Sequence, residues 1–195
     1  MPLTPPNDIS VIKKEDKAQR VTEFIQEQLE RGCRDISVFA RSINSPVVLA
    51  LANCADAIID DGVLVRVVVT ALDLEDIGEK PAGRSLARMH ASMRIATDGR
   101  LLDAHEQMCL DAHATWIGDC LRREPAERDA FERFSVSCAR TADDARFTFS
   151  KLWGRAEPAA VPGHTRDIGL APESVAMGSQ ETENDLGGAT AATRH

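Results

Sequence analysis

One short stretch of the chain presents imidazole, amide, thiol and carboxylate groups at every second position. This polar set consists of His105, Gln107, Cys109 and Asp111. A second set, Glu106, Met108 and Leu110, occupies the positions between. A period of two is typical of a β-strand, so we expect the polar set to share one face. Because imidazoles and thiolates serve as nucleophiles and metal ligands, this face is the candidate for chemistry.

The residues after this strand predict a β-hairpin followed by a helix. Asp111 to His113 form the expected turn, Ala114 to Ile117 the return strand, and Gly118 closes that strand. Asp119, Arg122 and Arg123 come next as polar candidates for the same site. Glu124-Pro125 then opens a predicted helix. Its expected apolar stripe consists of Ala130, Phe131 and Phe134.

The remaining elements must position the hairpin, and their patterns indicate alternating helices and strands. Helical periodicity predicts helices at 14–31, 46–59, 85–91 and 141–153, with Ser45 and Thr141 as N-caps. Runs of β-branched residues predict strands at 36–40, 64–72 and 93–97, and glycine and acidic residues predict a loop at 73–83. The 64–72 run consists almost entirely of β-branched and other apolar residues, as in a strand covered on both faces. We therefore expect an α/β fold with a mixed, mostly parallel sheet flanked by helices.

Composition sets the domain organisation and excludes several classes of protein. We predict a flexible leader at 1–13, one domain at 14–155 and a disordered acidic tail at 156–195, because the tail has few bulky apolar residues. A net charge of -8 disfavours non-specific binding to nucleic acid. The five cysteines show no paired spacing and no signal peptide is evident, so we expect a cytoplasmic protein with reduced thiols. No apolar run is long enough for membrane insertion.

Two motifs and the order of the elements resemble a known family. The segment DDGVLVRVVV, Asp60 to Val69, is similar to an RGVxVRVLV segment, and His105-Glu106-Gln107 followed by Gly118-Asp119 is similar to H-x-K-x(4)-D followed by G-S-x-N. Both patterns occur in the phospholipase D superfamily. From about Gln19 to Phe134 the chain resembles one half of such a protein, which implies a phospholipase D-like half-fold.

The resemblance implies roles for the hairpin residues, and this sequence departs from the pattern at three of the motif positions. His105 occupies the position of the histidine nucleophile that attacks phosphorus. Gln107 replaces the lysine that holds phosphate oxygens, and Asp119 replaces the serine. The aspartate position of the motif holds Ala112, one residue after Asp111. A neutral amide and an added carboxylate both disfavour an anionic transition state.

The segment after the hairpin offers a way to restore positive charge. Arg122 and Arg123 are expected, with Gly118, to bind a substrate or another anion, because an arginine fork suits phosphate. A simpler interpretation places the arginines on a solvated helix with ion pairs to its acids. His105 and His113 are then ordinary hydrogen-bonded histidines.

Histidine and cysteine also recur near the hairpin in a way that first suggests a metal site. The set consists of His105, Cys109, His113 and Cys120. Its spacing matches no compact zinc motif, so we expect no metal and no cofactor.

The order of the elements resembles that of the family, whereas the motif departs from the family pattern. This combination leads to one favoured function and two alternatives. The favoured function is a non-catalytic phospholipase D-like binding or regulatory module that binds an anion or phosphate and pairs its motif faces in a homodimer. The first alternative is a phosphodiesterase with His105 as nucleophile. The second is a protein-interaction scaffold whose C-terminal tail recruits a partner.

Overall fold

Seven strands in the described residues form a single mixed sheet. The structure is a computed structural model that describes residues 14–70, 78–121, 132–136 and 138–159. The strands are β1 (Asp35–Ala40), β2 (Leu64–Thr70), β3 (Ser92–Ala96), β4 (His105–Leu110), β5 (Ala114–Cys120), β6 (Arg133–Val136) and β7 (Glu157–Pro158). They lie in the order β6-β5-β4-β1-β2-β3-β7. Strand β2 and the histidine hairpin therefore share one sheet, with β1 between them.

Helices cover both faces of this sheet. They are α1 (Lys14–Glu30), α2 (Pro46–Asn53), α3 (Ala55–Asp60), α4 (Pro81–Arg88) and α5 (Ala139–Arg155), and a short 3-10 helix spans Gly99–Asp103. The predicted α/β fold with flanking helices is confirmed. The expected helix at 46–59 is two helices, because Cys54 leaves helical geometry at φ -94 and ψ 7.

The expectation of a mostly parallel sheet is wrong. Among the described strands, β1 pairs with β2 and β2 with β3 in parallel, whereas the other four pairings are antiparallel. The three-residue turn between β4 and β5 permits only antiparallel pairing, since a parallel connection needs a crossover of a dozen residues or more. The hairpin therefore adds antiparallel strands to a small parallel centre.

Three local predictions near the hairpin also need correction. Phe134 lies in strand β6, where it pairs with Trp116 and contacts the Phe24 ring edge-on at 5.0 Å, and not in a helix. Ala130 and Phe131 lie outside the described residues. Strand β5 continues past Gly118 to Cys120. Helix α5 begins at Ala139, so Thr141 lies within its first turn instead of capping it.

The core has two parts, one on each face of the sheet. The larger part buries the apolar faces of α1 and α2 against residues such as Val67 and Trp116, and the smaller packs α5 against Phe39 and Val68. Neighbouring residues of β2, Val67 and Val68, are thus buried on opposite faces, as the almost continuous apolar run predicts. No helix in the described part of the chain has the length and apolar composition needed to cross a bilayer.

The sheet order brings the site residues to one edge. Parallel strands β1, β2 and β3 end at the same edge, and β4, which runs the other way, begins there at His105. The register that pairs Phe39 with Gln107 places His105 just beyond the end of β1. The imidazole therefore lies at the carboxyl edge of the parallel strands.

Candidate functional site at the carboxyl edge of the sheet

The exposed side chain of His105 is held in place by a hydrogen bond with the neighbouring strand β5. Its Nδ1 lies 2.8 Å from the carbonyl oxygen of Gly118. This contact fixes the ring against β5 and makes Nδ1 the donor when the imidazole is neutral. Two of the predicted site residues, His105 and Gly118, are therefore brought together.

Gln107 points towards helix α5. Its Nε2 donates to the Ala145 carbonyl at 3.4 Å, a long hydrogen bond. The side chain is half-buried. Where the resemblance has a lysine, this chain places a neutral amide that is engaged with the backbone of α5.

A β-bulge separates Asp119 from His105. On β4, Glu106 alone stands opposite both Gly118 and Asp119 of β5. The extra residue reverses the alternation of β5, so Asp119 faces the same side of the sheet as Glu106 and the opposite side from His105. The structure therefore does not group Asp119 with the two residues predicted to act beside it.

The bulge requires glycine at position 118. A Cβ atom placed there would lie 2.3 Å from Cη2 of Trp116, far inside van der Waals contact. The indole cannot easily retreat, since it is 1% exposed and its Nε1 donates to Glu132 at 3.0 Å. Gly118 thus has a steric role in the hairpin, beyond the backbone carbonyl that it offers to His105.

Asp119 forms a buried ion pair that the sequence did not reveal. Its Oδ2 accepts a hydrogen bond from Nζ of Lys17 at 2.9 Å, and each side chain is only 3% exposed. Lys17 comes from the first turns of α1, 102 positions earlier in the chain. Because nothing local links the two, only the packing of α1 on this face brings the lysine to the hairpin.

A second buried carboxylate lies on the same face. Glu106 is 5% exposed and accepts hydrogen bonds from the backbone N–H of Arg41, at 3.0 Å, and from Oγ of Ser45. Ser45 was predicted to cap α2, and it holds the capping position, but its side chain makes no cap hydrogen bond. The Glu106 carboxylate therefore lies beside the start of α2, where the positive end of the helix dipole favours an anion.

Arg41 joins these groups to the end of the hairpin. Its Nη1 donates to the Leu121 carbonyl at 2.7 Å, and its own carbonyl accepts from Oγ1 of Thr70, also at 2.7 Å. These hydrogen bonds tie together the ends of β1, β2 and β5. Hydrogen bonds between strand ends therefore stabilise the carboxyl edge of the sheet.

The other predicted residues have structural roles or lie outside the described part. The Asp111 carboxylate accepts the backbone N–H of Asp35 at 2.9 Å and that of Arg34 at 3.1 Å, so it stabilises the turn, in which Asp111 has a φ of 50. Arg122 and Arg123 lie outside the described residues.

Cys109, on the same strand as His105, is not an activated thiol. Burial raises the pKa of Cys109 to about 12, so this thiol stays protonated at neutral pH. Among the residues that the structure describes, no group of three or more His, Cys, Asp and Glu side chains is arranged to hold a metal ion.

The fold has counterparts among solved structures, although no family model and no curated protein matches the chain. The archaeal chromatin protein TrmBL2 matches with a TM-score of 0.52 and 14% identity over 73% of this chain, which spans about half (52%) of that protein. The phospholipase D family member Nuc from Salmonella typhimurium matches with a TM-score of 0.49 and 12% identity, over 70% of this chain and 89% of its own. NucT from Helicobacter pylori gives 0.48 and 10%, over 75% and 92%. At these identities the likeness is one of fold.

Proposed function

We propose that the chain is a non-catalytic phospholipase D-like module that binds a ligand without hydrolysing it. The observation that carries the proposal is the buried Lys17–Asp119 pair. Phosphoryl transfer needs a cation that is available to the negative charge on the phosphoryl oxygens in the transition state. Here a carboxylate of the hairpin itself already holds the lysine, and water is excluded from both groups.

Replacing that carboxylate by a phosphate would be unfavourable. Breaking a buried ion pair by removing one partner's contact costs about 3–5 kcal/mol, because a charge is left buried and uncompensated. Lys17 also lies on the α1 side of the sheet, whereas the bulge leaves His105 on the α5 side. The lysine is therefore poorly placed to replace the motif lysine.

The remaining groups at this edge support the same proposal. Gln107 supplies no charge, and Arg41 Nη1 donates to a backbone carbonyl. Glu106 places a second carboxylate beside the start of α2. The backbone N–H of Arg41 and the hydroxyl of Ser45 already donate to this carboxylate, so they are not available to an anionic substrate.

A hydrolysis assay with a matched histidine control tests the proposal. Bis(4-nitrophenyl) phosphate is incubated with the wild-type protein, with His105→Ala and with His113→Ala, whose histidine is exposed in the hairpin turn. We expect the same background rate of nitrophenol release from all three. Turnover by the wild type and by His113→Ala that is lost in His105→Ala would overturn the proposal.

One observation favours the alternative of a phosphodiesterase. A neutral imidazole that donates from Nδ1 to the Gly118 carbonyl carries its nucleophilic lone pair on Nε2. In this alternative Arg122 and Arg123 take the role of the missing lysine. If the assay detects turnover, Arg122→Gln and Arg123→Gln should each lower kcat, and unchanged kcat in both variants would reject the role of the arginines.

The proposal also includes a homodimer. In the resembled family two motifs face each other, and this chain contains a single His105 hairpin of that kind. Sedimentation velocity at micromolar protein concentration should therefore give the mass of two chains. A monomer under these conditions would remove the dimer from the proposal and leave the absence of catalysis to the hydrolysis assay.

A further inference from the structure

An open cleft lies on the α5 side of the sheet, away from the histidine edge. It has a volume of about 380 Å³, and Ser37 of β1, Arg66 of β2 and Asp143, Arg146 and Phe147 of α5 are among its lining residues. Ser37 pairs with Cys109, four positions along β4 from His105. At about 3.3 Å per strand residue, the cleft is roughly 13 Å from the histidine edge. It is therefore separate from the candidate site described above.

Arg66 is held in place but has donors left over. Its Nη2 donates to both carboxylate oxygens of Asp35, each at 2.8 Å, and its guanidinium lies 5.7 Å from the centre of the Phe149 ring. Its Nε is buried and has no acceptor within the described part of the chain. Since an unpaired buried N–H is costly, this atom indicates an acceptor supplied from outside the described residues.

Arg146 supplies a second guanidinium at the cleft. It is exposed on α5, and within residues 14–70, 78–121, 132–136 and 138–159 no hydrogen bond or ion pair engages it. The arginine fork matches the two oxygens of a carboxylate or phosphate. Two arginines facing one cleft therefore suit an oxyanion.

An exposed aromatic ring borders the same cleft. Phe147 is 62% exposed, more than any other exposed large apolar side chain in the described part of the chain. Lys151 Nζ lies 4.1 Å from the centre of the ring. A ring in this position can cover the flat apolar part of a ligand whose charged end reaches the arginines.

We propose that this cleft binds a small oxyanion carried on an aromatic ring. Arg146 and the unpaired donors of Arg66 hold the phosphate or carboxylate group, and Phe147 packs against the ring of the ligand. Asp35 and Asp143 offset the charges of the two arginines, so directed hydrogen bonds and not a long-range field provide the attraction. Binding should therefore depend only weakly on salt.

Calorimetric titration with three simple probes tests the proposal. Phenyl phosphate and benzoate distinguish the two kinds of oxyanion, and inorganic phosphate lacks the ring. We expect at least one aromatic probe to bind, and to bind more tightly than inorganic phosphate. Arg146→Gln should weaken binding about tenfold or more, since hydrogen bonds to charged groups are the strong ones. Phe147→Ser should remove the advantage of the aromatic probes.

Arg140→Gln is the matched control. Arg140 is exposed on the same helix and the substitution removes the same charge, but six positions turn a helix by about 240°, which places Arg140 away from the cleft. It should leave affinity unchanged. No binding by either aromatic probe, or equal losses in Arg146→Gln and Arg140→Gln, would overturn the proposal. These outcomes concern binding only, and the test of hydrolysis at His105 stands apart from them.

Discussion

The two faces of the sheet hold similar ion pairs in different surroundings. On the α1 side, Lys17 and Asp119 meet at 2.9 Å with 3% of each side chain exposed. On the α5 side, Arg66 and Asp35 meet at 2.8 Å with 36% and 37% exposed. Distance does not distinguish them, but burial does. The first pair is closed to solutes and expensive to break, whereas the second contributes little to stability and leaves donors available to a ligand.

This difference separates the hairpin site from the open cleft. The hairpin that resembles a catalytic motif has its charges compensated within the protein, at Asp119 and Glu106. The face covered by α5 has arginines next to open space. The two proposals thus assign the family-like architecture to the hairpin and ligand binding to the cleft beside α5.

The largest expected effect comes from breaking each pair in turn. Lys17→Met leaves the Asp119 carboxylate buried without its lysine and should lower the free energy of unfolding by about 3–5 kcal/mol. Arg66→Met removes the half-exposed partner and should cost about 0–1 kcal/mol. Urea unfolding at neutral pH measures both.

A double variant guards against a simple packing explanation. Lys17→Met combined with Asp119→Leu removes both charges and should recover most of the loss, because no unpaired charge stays buried. Equal losses for Lys17→Met and Arg66→Met, or no recovery in the double variant, would contradict the contrast between the two faces.

Local patterns predicted the hairpin well because its information is local. The period-two alternation from His105 to Leu110 and the short turn at Asp111 determine two strands without reference to the rest of the chain. His105 and Gly118, which the resemblance assigns to one site, lie close together because they belong to the two strands of this hairpin. The placement of the imidazole at the carboxyl edge follows from the strand order in the sheet.

The errors came where distant contacts decide the structure. Strand β6 is four residues long and is stabilised by pairing with β5 and by the Phe24–Phe134 contact. The local sequence shows only a helical spacing of apolar residues, so it predicted a helix there. Lys17 belongs to a helix that was predicted, but its partner is 102 positions away. The bulge opposite Glu106 also depends on the register between two strands. No short-range pattern contains that information.

The next prediction compares a glycine that has close neighbours, Gly118 at the bulge, with one that has none, Gly154 on α5. Gly118→Ala should lower the free energy of unfolding by about 1–3 kcal/mol or more, because the new methyl group overlaps the Trp116 ring. Gly154→Ala on α5 meets no atom within 4 Å and should raise it by about 0.5–1 kcal/mol, as replacing glycine within a helix does. Thermal and urea unfolding of the two variants should therefore shift in opposite directions, and shifts of the same sign would contradict the geometry.

Alkaline pH should destabilise the fold through thiols buried on both sides of the sheet. Burial raises the pKa of Cys54 to about 11 and that of Cys109 to about 12. Below the ordinary thiol pKa, about 8.5, both the folded and unfolded chains keep these protons. Above it the unfolded chain loses them first, so the free energy of unfolding falls as pH rises towards 11 or 12.

For each thiol, the free energy of unfolding should fall by at most about 1.4 kcal/mol per pH unit. Comparing urea unfolding at pH 8 and pH 10 gives the loss in the wild type. Cys54→Ala and Cys109→Ala should each reduce the difference between the two pH values. A loss that both variants leave unchanged would have to come from other groups.

The smallest effect is kinetic and contrasts a buried thiol with an exposed one. Cys138 lies on the surface before α5. Hydrogen bonds with Thr141, mainly from its side chain and also from its backbone, lower the pKa of the Cys138 thiol. Iodoacetamide at pH 8, followed by mass spectrometry, should therefore modify Cys138 well before Cys109, whose thiol is both protonated and 2% exposed. Thr141→Ala should slow the reaction of Cys138 and leave Cys109 unchanged. Early modification of Cys109 in the native protein would mean that the α5 side opens more readily than its packing implies.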